Sequence, residues 1–175
     1  FIDDNGLVEL GEETTLQTTN NETGILISGL SSNIRGGKIV SQNNKYGLKV
    51  SSGSVFELNL SSTTINVSQN TEADVYVTDS SEMKITGEQG NSVLSLKAES
   101  CGNISVEKAF TINGENINKI GALATGKNSV IFFDDNLTIT NIKEIGLSAT
   151  NEGTIAADGV VSITGENSNI GIQYD

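Results

Sequence analysis

Apolar residues in this chain repeat from one segment to the next more than along any single segment. Ile25 and Ile27 flank Leu26, Leu48 and Val50 flank Lys49, Val75 and Val77 flank Tyr76, and Leu96 and Ala98 flank Lys97. The spacing returns at Ala122 and Ala124, at Leu147 and Ala149, and at Ile172 and Tyr174. The residues in between read Leu26, Lys49, Tyr76, Lys97, Leu123, Ser148 and Gln173, mostly tolerant of water. An apolar position alternating with a solvated one is the period of a strand with one face inward. Each segment also opens alike, at Gly24, Gly47, Asp74, Ser95, Gly121, Gly146 and Gly171.

The starts run from 24 to 171 in six steps of 21 to 27 residues, about 25 on average. Inside the last two intervals the order of features recurs. Asn128-Ser129-Val130 answers Gly153-Thr154-Ile155, and Leu137-Thr138-Ile139-Thr140 answers Val161-Ser162-Ile163-Thr164. One unit therefore holds about three short strands separated by polar turns, too little to bury a core alone but enough when stacked on its neighbours. Turns absorb the variation in length while the strands stay fixed.

Stacking turns the repeat into ladders. The first is Ile25, Leu48, Val75, Leu96, Ala122, Leu147 and Ile172, and its companion is Ile27, Val50, Val77, Ala98, Ala124, Ala149 and Tyr174. A second strand predicts Ile34, Val55, Ile104, Val130 and Ile155, and a third predicts Ile39, Ile65, Ile85, Ile112, Ile139 and Ile163. In a parallel β-helix each residue lies about 4.8 Å from its equivalent one coil away, so like stacks on like. The expected fold is all-β, a parallel β-helix (solenoid) forming a single unit over 1–175, about seven coils of roughly 25 residues. Residues 1–23 read as an incomplete first coil, with strand-like Leu7-Val8-Glu9-Leu10 and Thr15-Leu16-Gln17, and regular coils start near 24, 47, 74, 95, 121, 146 and 171. Gly36-Gly37 marks a sharp turn. Ile85-Thr86-Gly87-Glu88-Gln89 returns as Ile112-Asn113-Gly114-Glu115-Asn116 and as Ile163-Thr164-Gly165-Glu166-Asn167, read here as the exit from the third strand, with Glu and Asn facing water.

Composition sharpens this picture. Apolar residues make up 35% and aromatics 5% of the chain, which suits the thin column of a solenoid core better than a large globular one. Pro is absent, as expected where most backbone donors are committed to ladders. Sustained Ile and Val ladders argue against disorder despite the polar composition. The net charge of −12 repels phosphate backbones, and the Lys and Arg residues read as scattered, so no nucleic-acid partner is expected. No apolar run is long enough to span a membrane.

Candidate chemistry is sparse. With no His, neither a Ser-His-Asp nor a Cys-His site is available within these residues. Asp3-Asp4, Asp134-Asp135 and Asp158 are the carboxylates that a polysaccharide lyase or glycoside hydrolase on this fold would draw on, with Asp158 about one coil above Asp134. Asp134-Asp135-Asn136 and Asp158-Gly159 are also good turn formers, and the turn reading is preferred. No calcium-binding nonapeptide recurs, and no catalytic residue, metal or cofactor is expected. Cys101 reads as a small turn or buried residue. The Asn-x-Ser/Thr triplets at Asn21, Asn59, Asn66, Asn103 and Asn136 are what chance yields in so Asn-rich a chain. A Thr array for ice binding finds Thr138, Thr140 and Thr164 but breaks at Ser105 and Asn113.

The run Ile145-Gly146-Leu147-Ser148-Ala149-Thr150-Asn151-Glu152-Gly153-Thr154-Ile155, followed by Val161-Ser162-Ile163-Thr164-Gly165-Glu166-Asn167-Ser168-Asn169-Ile170-Gly171-Ile172, resembles the repeat of bacterial autotransporter (type V secretion) passenger domains. The match covers 121–175 well and 24–120 more weakly. The resemblance implies a right-handed parallel β-helix at the bacterial cell surface or secreted, anchored through an outer-membrane barrel outside this segment, and a chain cut from something longer. Many members of that family are adhesins and others carry cytolysins or proteases; here a ladder repeat without any convergent chemical group points to a non-enzymatic adhesin or rigid stalk, whose expected partners are a host-cell surface protein or glycan, or another copy of itself. The alternatives are a β-helical polysaccharide lyase or glycoside hydrolase, and a phage tail-spike fragment.

Overall fold

The structure, a computed structural model, describes residues 2, 6–11, 13–29, 33–61, 63–88, 94–114, 120–165 and 170–175, and these form twenty strands and no helix. The first coil holds β1 (Leu7–Glu9) and β2 (Thr15–Thr19). The next two are three-stranded: β3 (Thr23–Ser28), β4 (Asn33–Arg35) and β5 (Lys38–Gln42), then β6 (Tyr46–Ser51), β7 (Val55–Asn59) and β8 (Thr64–Ser68). A short coil follows with β9 (Ala73–Val77) and β10 (Glu82–Thr86). Three more complete coils are β11 (Leu96–Glu99), β12 (Asn103–Val106) and β13 (Phe110–Asn113); β14 (Ile120–Thr125), β15 (Val130–Phe133) and β16 (Leu137–Thr140); and β17 (Ile145–Thr150), β18 (Thr154–Ala157) and β19 (Val161–Thr164). β20 (Ile170–Tyr174) opens the next.

These strands stack as a parallel β-solenoid. Its first face is one seven-stranded sheet, β3-β6-β9-β11-β14-β17-β20, which spans six full turns. The second face carries β1-β4 and then β7-β10-β12-β15-β18. The third is split into β2-β5-β8 and β13-β16-β19, because the short coil contributes no third strand among the described residues. On the first face both predicted ladders are met residue for residue, from Ile25 through Leu48, Val75, Leu96, Ala122 and Leu147 to Ile172, and from Ile27 through Val50, Val77, Ala98, Ala124 and Ala149 to Tyr174. Their side chains are buried as far as Leu147 and Ala124, Ala149 is half-buried, and Ile172 and Tyr174 lie exposed at the end of the stack.

The other two ladders need correction. On the second face Ile104 aligns with Phe56, Met83, Ile131 and Ile155, whereas Val55 and Val130 align with Glu82, Asn103 and Thr154. Val55 and Val130 are therefore one residue out of phase, and on a pleated strand one residue is the difference between core and solvent. Val55 is 58% exposed, as that phase requires. Ile85 belongs to the second face as well, in register with Leu58, Val106, Phe133 and Ala157. The run Ile85-Thr86-Gly87-Glu88 thus leaves a second strand, not a third, while Ile112-Asn113-Gly114 and Ile163-Thr164-Gly165 do leave third strands. The predicted third column is two columns, Leu16-Ile39-Ile65 and Ile112-Ile139-Ile163. Gln89, Glu115-Asn116 and Glu166-Asn167, read as facing water, lie outside the described residues.

The core varies along the column. Where the first face narrows to Ala98, Ala124 and Ala149, aromatic rings from the opposite faces take up the room: Phe110 and Phe133 meet with centroids 6.2 Å apart. Facing large residues with small ones keeps such a column close-packed.

Corners obey a local code. At four corners between the first and second faces the chain turns on two successive residues at positive φ, Ser52-Gly53, Asp79-Ser80, Ser100-Cys101 and Asn151-Glu152, and at the β14–β15 corner on Gly126 and Asn128; non-Gly residues adopt this region only under constraint. Cys101 is accordingly a turn residue, half-buried, with Sγ 3.5 Å from the Lys127 carbonyl. At the third corner Asn20, Asn43 and Gln69 take positive φ, and each precedes an Asn, namely Asn21, Asn44 and Asn70. Asn21 N donates to Asn44 Oδ1 at 2.9 Å, and Asn44 N donates to Asn70 Oδ1 at 3.0 Å. This ladder meets Ser41, to which Asn44 Nδ2 donates at Oγ and Asn70 Nδ2 donates at the carbonyl.

The start of each coil sits where space is shortest. A Cβ on Gly47 would lie 2.3 Å from Val67 Cγ1, at the end of the third strand of its own coil. The short coil has no such strand among the described residues, and there Asp74 takes the Gly position with its side chain fully buried. Its Oδ1 accepts from Asn70 Nδ2 at 2.8 Å, and its Oδ2 accepts from Ser95 N and Ser95 Oγ, both at 2.9 Å.

Candidate binding surface

With the interior given to packing, chemistry is left to outward side chains. On the first face the outward column runs Leu26, Lys49, Tyr76, Lys97, Leu123, Ser148 and Gln173. Tyr46, at the entry to β6, lays its ring on that of Tyr76 with centroids 4.5 Å apart and planes 27° from parallel. Three ammonium groups surround the pair. Lys45 Nζ is 5.1 Å from the Tyr46 centroid, Lys49 Nζ is 5.3 Å from that of Tyr76, and Lys97 Nζ lies 6.0 and 4.9 Å from the two rings. The ammonium groups lie over the faces of the rings, and Tyr76 is 8% exposed although it points outward.

Glu99 locks this arrangement. Its Oε2 accepts from Tyr76 Oη at 2.8 Å and pairs with Lys97 Nζ at 3.0 Å. Burial alone would raise the Glu99 carboxyl, but the hydrogen bonds from Lys97 and Tyr76 and the charges of Lys97 and Lys49 outweigh it and hold the group below the usual carboxylate range. The Tyr76 phenol is pushed up to about 12, first by burial, which its hydrogen bond with Thr78 opposes, and then by the hydrogen bond and charge of Glu99. Beside the cluster lies a cleft of about 180 Å³ with Leu96, Ile120 and Leu123 in its floor and Lys97, Thr71 and Glu72 at its rim. Apolar floor and mixed-charge rim suit a small amphipathic group of a larger ligand.

The cations were expected to be scattered. Stacking brings Lys45, Lys49 and Lys97 together from coils up to 52 residues apart in sequence. The signal was present in the phase of the alternation, since Lys49, Tyr76 and Lys97 share the outward position.

The candidate carboxylates lie elsewhere. Asp134 N bonds to Val106 O and Asp158 N to Phe133 O, so Asp134 and Asp158 do stack in adjacent coils, continuing from Glu107. Both are exposed and in bends, and Asp135 Oδ1 accepts its neighbour Asn136 N at 2.7 Å, as a turn residue would. Lys84 pairs with Glu107 in the next coil, and that bond, with the charge of Glu107, raises its ammonium. Asp3 and Asp4 lie outside the described residues. Among the described residues no group of three or more His, Cys, Asp or Glu side chains is placed to hold a metal ion, and no helix is long and apolar enough to cross a membrane. Thr138, Thr140 and Thr164 share the third face with Thr111, Asn113 and Ser162, while Ser105 belongs to the second.

No family model matches the chain, and neither the curated proteins nor the solved structures contain a match.

Proposed function

We propose that the chain is a non-enzymatic segment of a rod, of the kind that a bacterial surface-exposed or secreted autotransporter passenger uses as an adhesin or stalk. The observation that carries this reading is the unbroken register of the seven-stranded face. Inward positions are spent on columns, which leaves lateral contacts through outward side chains as the available function. The Tyr46–Tyr76 cluster and its cleft are the contact region on this reading, taking a host-cell surface protein or glycan.

The competing reading is a carbohydrate-cleaving β-helix, favoured by the stacking of Asp134 on Asp158. Incubating the purified chain with a panel of acidic and neutral polysaccharides, and following new reducing ends and unsaturated products together with retention on the immobilised glycans, separates the two. The rod reading expects retention that Lys49→Ala and Lys97→Ala weaken, and no new chain ends. Turnover abolished by Asp134→Asn or Asp158→Asn would sink it.

A further inference from the structure

The charges beside the cleft on the first face do not balance. Glu22 and Glu72 immediately precede Thr23 and Ala73, the register partners of Tyr46, so they stand on either side of Lys45 in the neighbouring coils and offset it. Lys49 and Lys97 share the outward column of Tyr76, and one carboxylate, that of Glu99, serves both. Glu99 pairs with Lys97, and among the described residues no carboxylate pairs with Lys49. One positive charge is therefore left over next to an apolar floor, on a chain of net charge −12. The Lys97 side chain is only 15% exposed, so salt screens the field there less than at an open surface.

We propose that this cleft binds the N-acetylated acidic sugar of a glycan, with the sugar's carboxylate at Lys97 in the field of Lys49 and its acetyl methyl on the floor. Three observations choose this occupant. Glu99 shows what the cationic side accepts, since a carboxylate is already held there by Tyr76 Oη at 2.8 Å and Lys97 Nζ at 3.0 Å, and Lys49 leaves charge for a second one. The floor of Leu96, Ile120 and Leu123 suits a methyl group and disfavours a hydroxyl, which would be buried there without a partner. At the rim Glu72, acceptor-only when ionised, suits the amide N–H that an acetamido group carries beside its methyl. A carboxylate, a methyl and an amide N–H within the span of one ring describe an acidic N-acetyl sugar. A neutral glycan lacks the first, and a plain uronic acid lacks the other two.

This assignment rests on the reading of the Tyr46–Tyr76 region as the contact surface of a rod, and it names that surface's ligand. Glu99 then acts as an internal competitor, because its charge draws on the same two ammonium groups that the sugar carboxylate needs. Replacing it by Gln removes the competing charge, so binding tightens. Leu123 and Lys49 point outward and are half-buried, so changing them alters the surface without opening the core.

Saturation-transfer NMR of the 175-residue chain tests this, with three probes: sialyllactose, a glucuronic acid disaccharide without N-acetyl groups, and neutral, N-acetylated chitotriose. The expected result is saturation of sialyllactose alone, strongest at its acetyl methyl. By titration Lys49→Gln should weaken binding about threefold to tenfold, and Leu123→Asn about tenfold with loss of the methyl's lead. Glu99→Gln should bind about threefold tighter, and circular dichroism should report the same fold in all three variants. Sialyllactose that takes up no saturation overturns the proposal, as does equal saturation of either other probe. So do Lys49→Gln and Leu123→Asn chains that both bind like wild type. A chain that is retained on neutral polysaccharides yet ignores sialyllactose loses this ligand and keeps the rod reading, whereas new polysaccharide ends sink the rod reading and leave these spectra unchanged.

Discussion

The two halves of the solenoid turn the same third corner with opposite interior chemistry. Among the described residues fourteen polar or charged residues are buried; twelve lie between Ser41 and Ser95, and Ser129 and Ser148 lie beyond. In the first half the corner is filled by Asn21, Asn44 and Asn70 with Ser41 and Asp74. In the second, Asn141 takes the same positive φ, but the next residue is Ile142, 3% exposed and seated against Gly114 and Gly121. One backbone path is thus compatible with a hydrogen-bonded corner and an apolar one. They should fail differently. A polar ladder is only as good as its least satisfied member, because every removed partner strands a buried group on the coil above or below. An apolar corner loses contact area in proportion to what is cut away.

The largest expected effect therefore follows from breaking the ladder in the middle. Asn70→Ala removes the acceptor of Asn44 N and the donors to Ser41 O and to Asp74 Oδ1. Losing these three bonds from buried groups, at about 1–3 kcal/mol each, predicts a loss of roughly 4 kcal/mol in urea denaturation. A loss below about 1 kcal/mol would mean that water or a side-chain shift rescues the corner, and the contrast between the halves would collapse.

In the apolar half the matched substitution is Ile142→Ala. Its expected cost is about 3 kcal/mol, the range for truncating a buried Ile, with Ile142→Val near 1. Ile142→Asn sharpens the comparison, since it offers the second half the amide that the first half uses. With Gly114 and Gly121 beside it, no side chain at those positions can receive that amide, and the variant should be no more stable than Ile142→Ala. If it were as stable as wild type, the ladder would be portable and the difference between the halves incidental.

How much of this was legible beforehand depends on how each strand disguises its phase. The first face was readable because a fixed start is followed by apolar residues on either side of a solvated one, as in Gly47-Leu48-Lys49-Val50. On the second face Val130-Ile131-Phe132-Phe133 is apolar throughout, and either phase fits; only the neighbours tell which pair is inside. Val55-Phe56-Glu57-Leu58-Asn59 did carry the answer, since Glu57 and Asn59 share the phase of Val55. Ile85 was misplaced because a third strand was expected in every coil, whereas Ile85 lies on the second strand of the short coil, which shows no third among the described residues. The buried Asn ladder was beyond reach for another reason: Asn, Ser and Thr serve exposed turns and interior ladders equally well, so residue type alone does not separate them. The Tyr–Lys cluster was hidden by sequence distance, because Tyr46 and Tyr76 become neighbours only once the coil length between them is fixed.

The smallest predicted effect tests the seam between the halves. Tyr76 sits on β9, in the last of the polar coils, and its bond to Glu99 crosses to β11, the first strand of the apolar half. Tyr76→Phe should cost about 1 kcal/mol at neutral pH, modest because Glu99 is 37% exposed at its side chain. Both partners give the cost a pH dependence. Glu99 titrates below its unfolded value, so its contribution is present above about pH 4.3 and is lost as pH falls through the lowered folded value. Tyr76 titrates above its unfolded value, so its contribution is complete below about pH 10 and is lost as pH rises toward 12. The stability difference between wild type and Tyr76→Phe should therefore be widest near neutrality and shrink at both extremes. Absorbance near 295 nm should show one phenol ionising late in the wild type, and that phase should be missing from the variant. A flat difference across pH, with no late phenol, would reduce the Tyr46–Tyr76 stack to ring packing alone. The seam would then be held by the inward columns that both halves share, and the outward cluster would be free to exchange its contacts for those of a ligand.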